Sequence, residues 1–96
     1  MDLQKNSMYY VYILWSDREK KFYIGYTMDL ERRLKEHQNG SCHTTVRMDN
    51  LKLVYFEAFI CEDDARRREQ YFKTTKGKKT LRLMLRESLR EICPVV

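Results

Sequence analysis

The sequence predicts an α/β (α+β) fold with the element order β-β-α-β-α-α. Three observations carry this. Two aromatic and β-branched runs stand close together around a polar turn. A helical pattern separates them from a third such run, and two more helical patterns close the chain.

Tyr9-Tyr10-Val11-Tyr12-Ile13-Leu14-Trp15 reads as a buried strand, because aromatic and β-branched side chains suit a pleated surface. Ser16 to Lys20 is polar and turn-like, and Lys21-Phe22-Tyr23-Ile24-Gly25-Tyr26 is a second strand, so the pair forms an antiparallel hairpin. Gly25 ends it, where close backbone approach or an unusual dihedral wants no Cβ. Thr27 is the expected N-cap of a helix over about residues 28–39, with Asp29 and Glu31 near its positive end and Asn39-Gly40 as its stop. Ser41 to Asn50 is a polar loop, and Leu51 to Phe59 a third strand. Glu62-Asp63-Asp64 opens a second helix that runs to about Thr74. Lys76-Gly77-Lys78-Lys79 breaks the pattern before a third helix, about 79–92. Its stripe is Leu81, Met84, Leu85, Leu89 and Ile92, and Pro94 ends it.

The 96 residues allow one domain, 1–96, with its core over about 8–92. With 12% aromatic residues the chain has enough to bury, which argues against disorder. No apolar run reaches the roughly 18 residues of a membrane span, and the first seven residues lack the apolar stretch of a signal peptide. The expected location is therefore cytoplasmic, with no membrane partner. Cys42, Cys61 and Cys93 are an odd number without Cys-x-x-Cys spacing, which excludes a disulfide framework and a self-contained zinc knuckle. His37, Cys42 and His43 lie close enough to share a metal, although unrelated residues near a loop are the better reading. The net charge of +5 is unevenly spread: residues 1–65 carry −2 and residues 66–96 carry +7. Such asymmetry points to a polyanion surface at the C-terminal end, with a solvated basic face as the alternative.

Several polar residues fall where a core is expected. On the first helix Leu30 and Leu34 set the apolar stripe, and Arg33 and His37 border it at i+3 and i+7 from Leu30. On the second, Glu69 lies between the inward Ala65 and Phe72. Buried charge is costly unless it is paired or holds a metal. The sheet adds Tyr10, Tyr12, Tyr23 and Tyr26, whose hydroxyls want partners. Together these residue types suit phosphodiester cleavage. Glu69 would hold a hard divalent cation such as Mg²⁺. Arg33 would meet charge on the phosphoryl oxygens, and a tyrosine or His37 would relay a proton from attacking water. A buried Arg33–Glu69 ion pair among core tyrosines is the competing reading.

Tyr10-Val11-Tyr12, then Tyr23-Ile24-Gly25, then Asp29-Leu30-Glu31-Arg32-Arg33-Leu34 resemble the GIY-YIG nuclease superfamily over about residues 8–85. The likeness is to its small stand-alone members, similar to the N-terminal nuclease domain of the excision-repair subunit UvrC. It implies a three-stranded antiparallel sheet flanked by helices, and Mg²⁺- or Mn²⁺-dependent nicking of structured or damaged DNA. On that resemblance Tyr12 is the general base or nucleophile activator and Tyr23 the first tyrosine of the second motif. Arg33 contacts the scissile phosphate, His37 stands where relatives carry histidine or tyrosine, and Glu69 binds the metal. Tyr10, Val11, Ile24, Gly25 and Tyr26 complete the motifs. Tyr10-Val11 replaces Gly-Ile, Tyr26 stands where excision-repair relatives carry lysine, and the asparagine that some members place near the domain's end has no equivalent here.

Lys78, Arg82, Arg86 and Arg90, at successive i+4 steps, are expected to form a basic ridge, with Arg66, Arg67, Arg68, Lys73, Lys76 and Lys79 nearby. A surface of this kind follows a phosphate backbone without reading sequence. The expected partner is DNA, with RNA left open and targeting left to another protein. The alternatives are a catalytically weak or silent nucleic-acid-binding module, and a homodimer built on the last helix's apolar stripe; the expected state is monomer or weak homodimer.

Overall fold

The computed structural model describes residues 7–38 and 51–92. Its elements are β1 (Tyr9–Ser16), β2 (Lys21–Thr27), α1 (Leu30–Gln38), β3 (Leu51–Phe59), α2 (Glu62–Lys73), α3 (Thr75–Met84) and α4 (Arg86–Ile92). The predicted Asn39-Gly40 stop, the 41–50 loop, Cys42, His43, Cys93 and the Pro94 stop lie outside the described residues.

The three strands form one antiparallel sheet in the order β2-β1-β3. The most apolar strand takes the centre, where both of its faces are covered: every residue from Val11 to Ser16 is buried. The period of two divides β1 between two layers. Val11, Ile13 and Trp15 pack with Phe22 of β2, with Ala65 and Phe72 of α2, with Leu81 of α3 and with Leu85 just after it, and this is the main core. Tyr10, Tyr12 and Leu14 point to the opposite face, where α1 reaches Tyr12 through Arg33 and His37. The β1–β3 register slips between Ile13 and Leu14, where Val54 is the extra residue. The β1–β2 turn is closed by Lys20 N–H on the Ser16 carbonyl at 2.7 Å, with Lys20 at φ 59°.

Three local expectations are corrected. The first helix starts at Leu30, and its cap is Asp29, whose Oδ1 accepts Arg32 N–H at 3.2 Å. Thr27 instead bonds Asp29 in the turn before it. Lys76 to Lys79 does not break a helix but lies within α3, capped by Thr74, whose Oγ1 accepts Gly77 N–H at 2.9 Å. The expected last helix is two, parted at Leu85 (φ −109°, ψ 17°). This break keeps Leu85 in the core, with Leu89 and Ile92 at its margin, while Met84 is exposed. The apolar stripe offered for a homodimer is thus largely spent on the chain's own core.

Gly77 is where α3 crosses α2. A Cβ there would lie 1.9 Å from the Tyr71 carbonyl oxygen and 2.7 Å from the Phe72 Cα. Both are backbone atoms that cannot swing aside. Glu57 ties β3 to the same helix: Arg68 donates to both of its carboxylate oxygens at 2.9 and 3.0 Å, and Tyr55 donates at 2.5 Å. Burial first, and then that bond to Glu57, pushes the Tyr55 hydroxyl up to about 12.

Gly77→Ala is expected to destabilise the fold by about 3 kcal/mol, at the upper end of overpacking costs. Urea denaturation followed by circular dichroism measures it; an unchanged midpoint would contradict the close crossing.

Candidate active site

A cleft of about 330 Å³ opens beside β2, lined by Tyr12, Leu14, Tyr23, Ile24, Gly25, Tyr26, Arg33, His37, Glu69 and Lys73. β2 is an edge strand, so the cleft draws walls from both faces of the sheet around its rim. All five residues expected to carry chemistry (Tyr12, Tyr23, Arg33, His37 and Glu69) line it.

Gly25 makes the arrangement sterically possible. It pairs with Tyr12 across the ladder, and a Cβ on it would lie 2.2 Å from the Tyr12 ring and 2.3 Å from its hydroxyl. The phenol lies over the space that a side chain would fill. Its oxygen is 3.0 Å from His37 Nε2 and accepts Arg33 Nε–H at 3.2 Å. The two partners are one helical turn apart, so both reach the same atom. The Tyr12 and His37 rings meet edge-on at 5.7 Å. Burial, and secondly the Arg33 charge, hold the His37 imidazole below its usual range, which favours the neutral ring at pH 7.

Glu36 was not foreseen in the sequence. Its Oε1 takes Arg33 Nη1 at 2.9 Å, and with the Tyr12 bond this holds the guanidinium at two edges. The i+3 spacing from Arg33 was the readable signal. Glu69 lies between the fully buried Ala65 and Phe72, as the stripe required, with its side chain 12% exposed. Its Oε2 accepts Lys73 Nζ at 2.9 Å. Among the described residues Arg33 pairs with Glu36 and Glu69 with Lys73, so the competing Arg33–Glu69 pair does not form.

The other tyrosines separate from Tyr12. Tyr23 donates to Glu19 Oε1 at 2.9 Å, and burial together with that bond raises its pKa. Tyr26 donates to Glu62 at 3.1 Å beneath the Arg66 guanidinium, which lies 4.1 Å from the ring centre. Tyr10 lines a different groove, with Phe56, Leu30 and Leu34. Val11 is wholly within the core. Among the described residues no three His, Cys, Asp or Glu side chains gather as a metal cluster, and of the residues that line the cleft Glu69 alone carries a carboxylate.

The continuous basic ridge is not formed. The break at Leu85 separates Arg86 and Arg90 from α3, and both pair with Glu87, at 3.6 and 3.0 Å. Arg82 lies over Trp15 and Phe22, 5.6 and 5.5 Å from their ring centres. Arg66 is engaged by Glu62, Arg67 by Asp64 and Arg68 by Glu57. Lys76, Lys78 and Lys79 are exposed in the first two turns of α3 and make no ion pair among the described residues. No helix among those residues is long and apolar enough to cross a membrane.

Comparison with known proteins agrees with this fold. The family model described as the GIY-YIG catalytic domain matches residues 8–82. A UPF0213 protein of Clostridium perfringens is 39% identical over 85 residues, covering 88% of this chain and 90% of that one. Another, from Bacillus licheniformis, is 38% identical over 78 residues, covering 79% and 77%. The solution NMR structure of a UPF0213 protein from Bacillus halodurans superposes with a TM-score of 0.52 at 32% identity, covering 80% of this chain and 84% of that one. With its paired tyrosine motifs, its helix arginine and its α2 glutamate in one cleft, the chain belongs to the GIY-YIG family, as a small member of the UPF0213 type whose fold is that of a nuclease catalytic domain.

Proposed function

We propose that the protein is a divalent-metal-dependent endonuclease that nicks DNA, acting on structured or damaged sites in repair or processing. One observation carries the reading. The Tyr12 oxygen is bracketed by His37 Nε2 and Arg33 Nε in the same cleft as the Glu69 carboxylate.

Each residue then has a task. Arg33 donates to the Tyr12 oxygen, and His37, neutral and with Nε2 as the acceptor, would take the phenol's own proton. As that proton moves to Nε2, the Tyr12 oxygen takes one from water, and the resulting hydroxide attacks phosphorus while the bond to the leaving oxygen breaks. The Arg33 guanidinium would meet the charge that gathers on the phosphoryl oxygens. Tyr23, holding its proton, is a donor and a wall. Glu69 would hold Mg²⁺ or Mn²⁺; one carboxylate is enough for a hard ion that keeps waters and shares phosphate oxygens. Bound there, the ion would supply Lewis-acid polarisation and stabilise the leaving oxygen.

Lys76, Lys78 and Lys79 support backbone binding. Cations in the first turns of a helix oppose its dipole, so folding alone gives no reason to gather them there. A second reading, a weak or silent nucleic-acid-binding module, is favoured by Tyr26, which stands in the motif's lysine position and is turned toward Glu62.

Supercoiled plasmid with Mg²⁺ or Mn²⁺ separates the two. Nicking is expected, and Tyr12→Phe, Arg33→Ala and Glu69→Gln should each reduce it at least about 100-fold. Binding without nicking under either metal would support the silent module. In single-turnover nicking, the acid limb should fall below pH 6.5, because protonated His37 cannot accept the Tyr12 proton and its pKa lies below the usual value; His37→Gln should be slow and should lack that limb. Replacing Lys76, Lys78 and Lys79 together by Gln should lower the slope of log K against log salt by up to about 3, roughly one per phosphate contact. An unchanged slope would remove these lysines from the DNA surface.

A further inference from the structure

The Glu69 carboxylate does not face the cleft alone. Lys73 follows it by one helical turn, lines the same cleft and donates from Nζ to Oε2 at 2.9 Å. The two partners differ in freedom. The Glu69 side chain is 12% exposed, held between Ala65 and Phe72, whereas the Lys73 side chain is 48% exposed on a flexible stem. The carboxylate is fixed and the ammonium can leave. An ordinary Glu–Lys helix pair at i,i+4 lies on the solvated face and contributes little. This one sits in the cleft beside Arg33, with Arg66 one turn before Glu69 on the same helix.

We infer that Lys73 exchanges between Glu69 and the DNA phosphate, so that the divalent ion is admitted to Glu69 together with the substrate. The inference rests on the reading of Glu69 as the metal ligand. In the free protein an approaching divalent cation meets a carboxylate already engaged by one cation, Lys73, while the nearby Arg33 and Arg66 are each matched by a glutamate of their own. A single carboxylate offers little to overcome that repulsion. A phosphodiester entering the cleft changes the balance. Its negative charge gives Lys73 a second anion within reach of its stem, and its oxygens supply further hard ligands beside Glu69. Metal and DNA binding are then coupled, each strengthening the other by the same factor. Free protein in the presence of metal remains largely unloaded.

Mn²⁺ titration read by electron paramagnetic resonance of the free ion tests this without reference to cleavage. Wild type, Lys73→Gln, Lys73→Arg and Glu69→Gln are compared with and without a short DNA duplex, Glu69→Gln serving as the blank. Without DNA, Lys73→Gln should bind Mn²⁺ about tenfold more tightly than wild type, and Lys73→Arg, which keeps the charge, should match wild type. DNA should tighten wild type about tenfold more than it tightens Lys73→Gln, since the phosphate oxygens add ligands in both and only wild type has Lys73 to release. Glu69-dependent binding that is equally tight in wild type and Lys73→Gln overturns the exchange and leaves Glu69 as the metal ligand. No Glu69-dependent binding in any variant, with or without DNA, overturns the metal reading and the exchange with it.

Discussion

The Tyr12 phenol lies across the backbone of Gly25, and the geometry of the cleft follows from that contact. Tyr12 belongs to the central strand and is 2% exposed. A phenol in such a position needs room for its ring and partners for its oxygen. Gly25 provides the room by having no side chain, and α1 provides the partners as Arg33 and His37. The same contact places the oxygen at the rim of the sheet. A site on the middle of either face would have excluded Glu69, which comes from the helix on the other side.

Charge is matched within the cleft and unmatched beyond it. Arg33 is held by Glu36 and Tyr12, and Lys73 by Glu69, so groups that would be costly to bury alone enter as pairs. Outside, Lys76, Lys78 and Lys79 have no acidic neighbour in contact among the described residues, and they stand in the turns of α3 that directly follow Lys73. The half-buried pairs orient side chains, while the exposed lysines set a field for an anion. This division is sharper than the +7 of the C-terminal third suggests. Most of its arginines are engaged by a glutamate, an aspartate or an aromatic ring, and three lysines carry the unpaired charge.

Elements governed by short-range pattern were legible in advance. The aromatic run of β1, the turn after Ser16, the acidic start of α2 and the Ala65–Glu69–Phe72 face depend on neighbours within a turn or a hairpin. So did the suspicion attached to Arg33 and His37, which border a stripe set by Leu30 and Leu34. Features that depend on how separate elements pack were misread. Gly77 resembled a breaker because its requirement, the approach of the Tyr71 and Phe72 backbone, comes from another helix. The Lys78-to-Arg90 ridge assumed an unbroken helix, yet Leu85 is drawn into a core it shares with β1. Arg82 looked free until the hairpin brought Trp15 and Phe22 beneath it.

The sequence by itself determined the order of the strands and the first two helices, the motif residues and the chemical kinds that converge, because spacing along a strand or helix decides which side chains share a face. Only the tertiary structure decided which tyrosine is joined to both the histidine and the arginine, and which carboxylate each cation takes. Tyr12, Tyr23 and Tyr26 are the same phenol placed in alternation on two adjacent strands. What separates them is which element brings a partner to each hydroxyl. α1 turns Arg33 and His37 toward Tyr12, the turn after β1 offers Glu19 to Tyr23, and α2 offers Glu62 to Tyr26. Hydrogen-bond partners lie within about 3 Å, and distances of that kind between separate elements are set by packing.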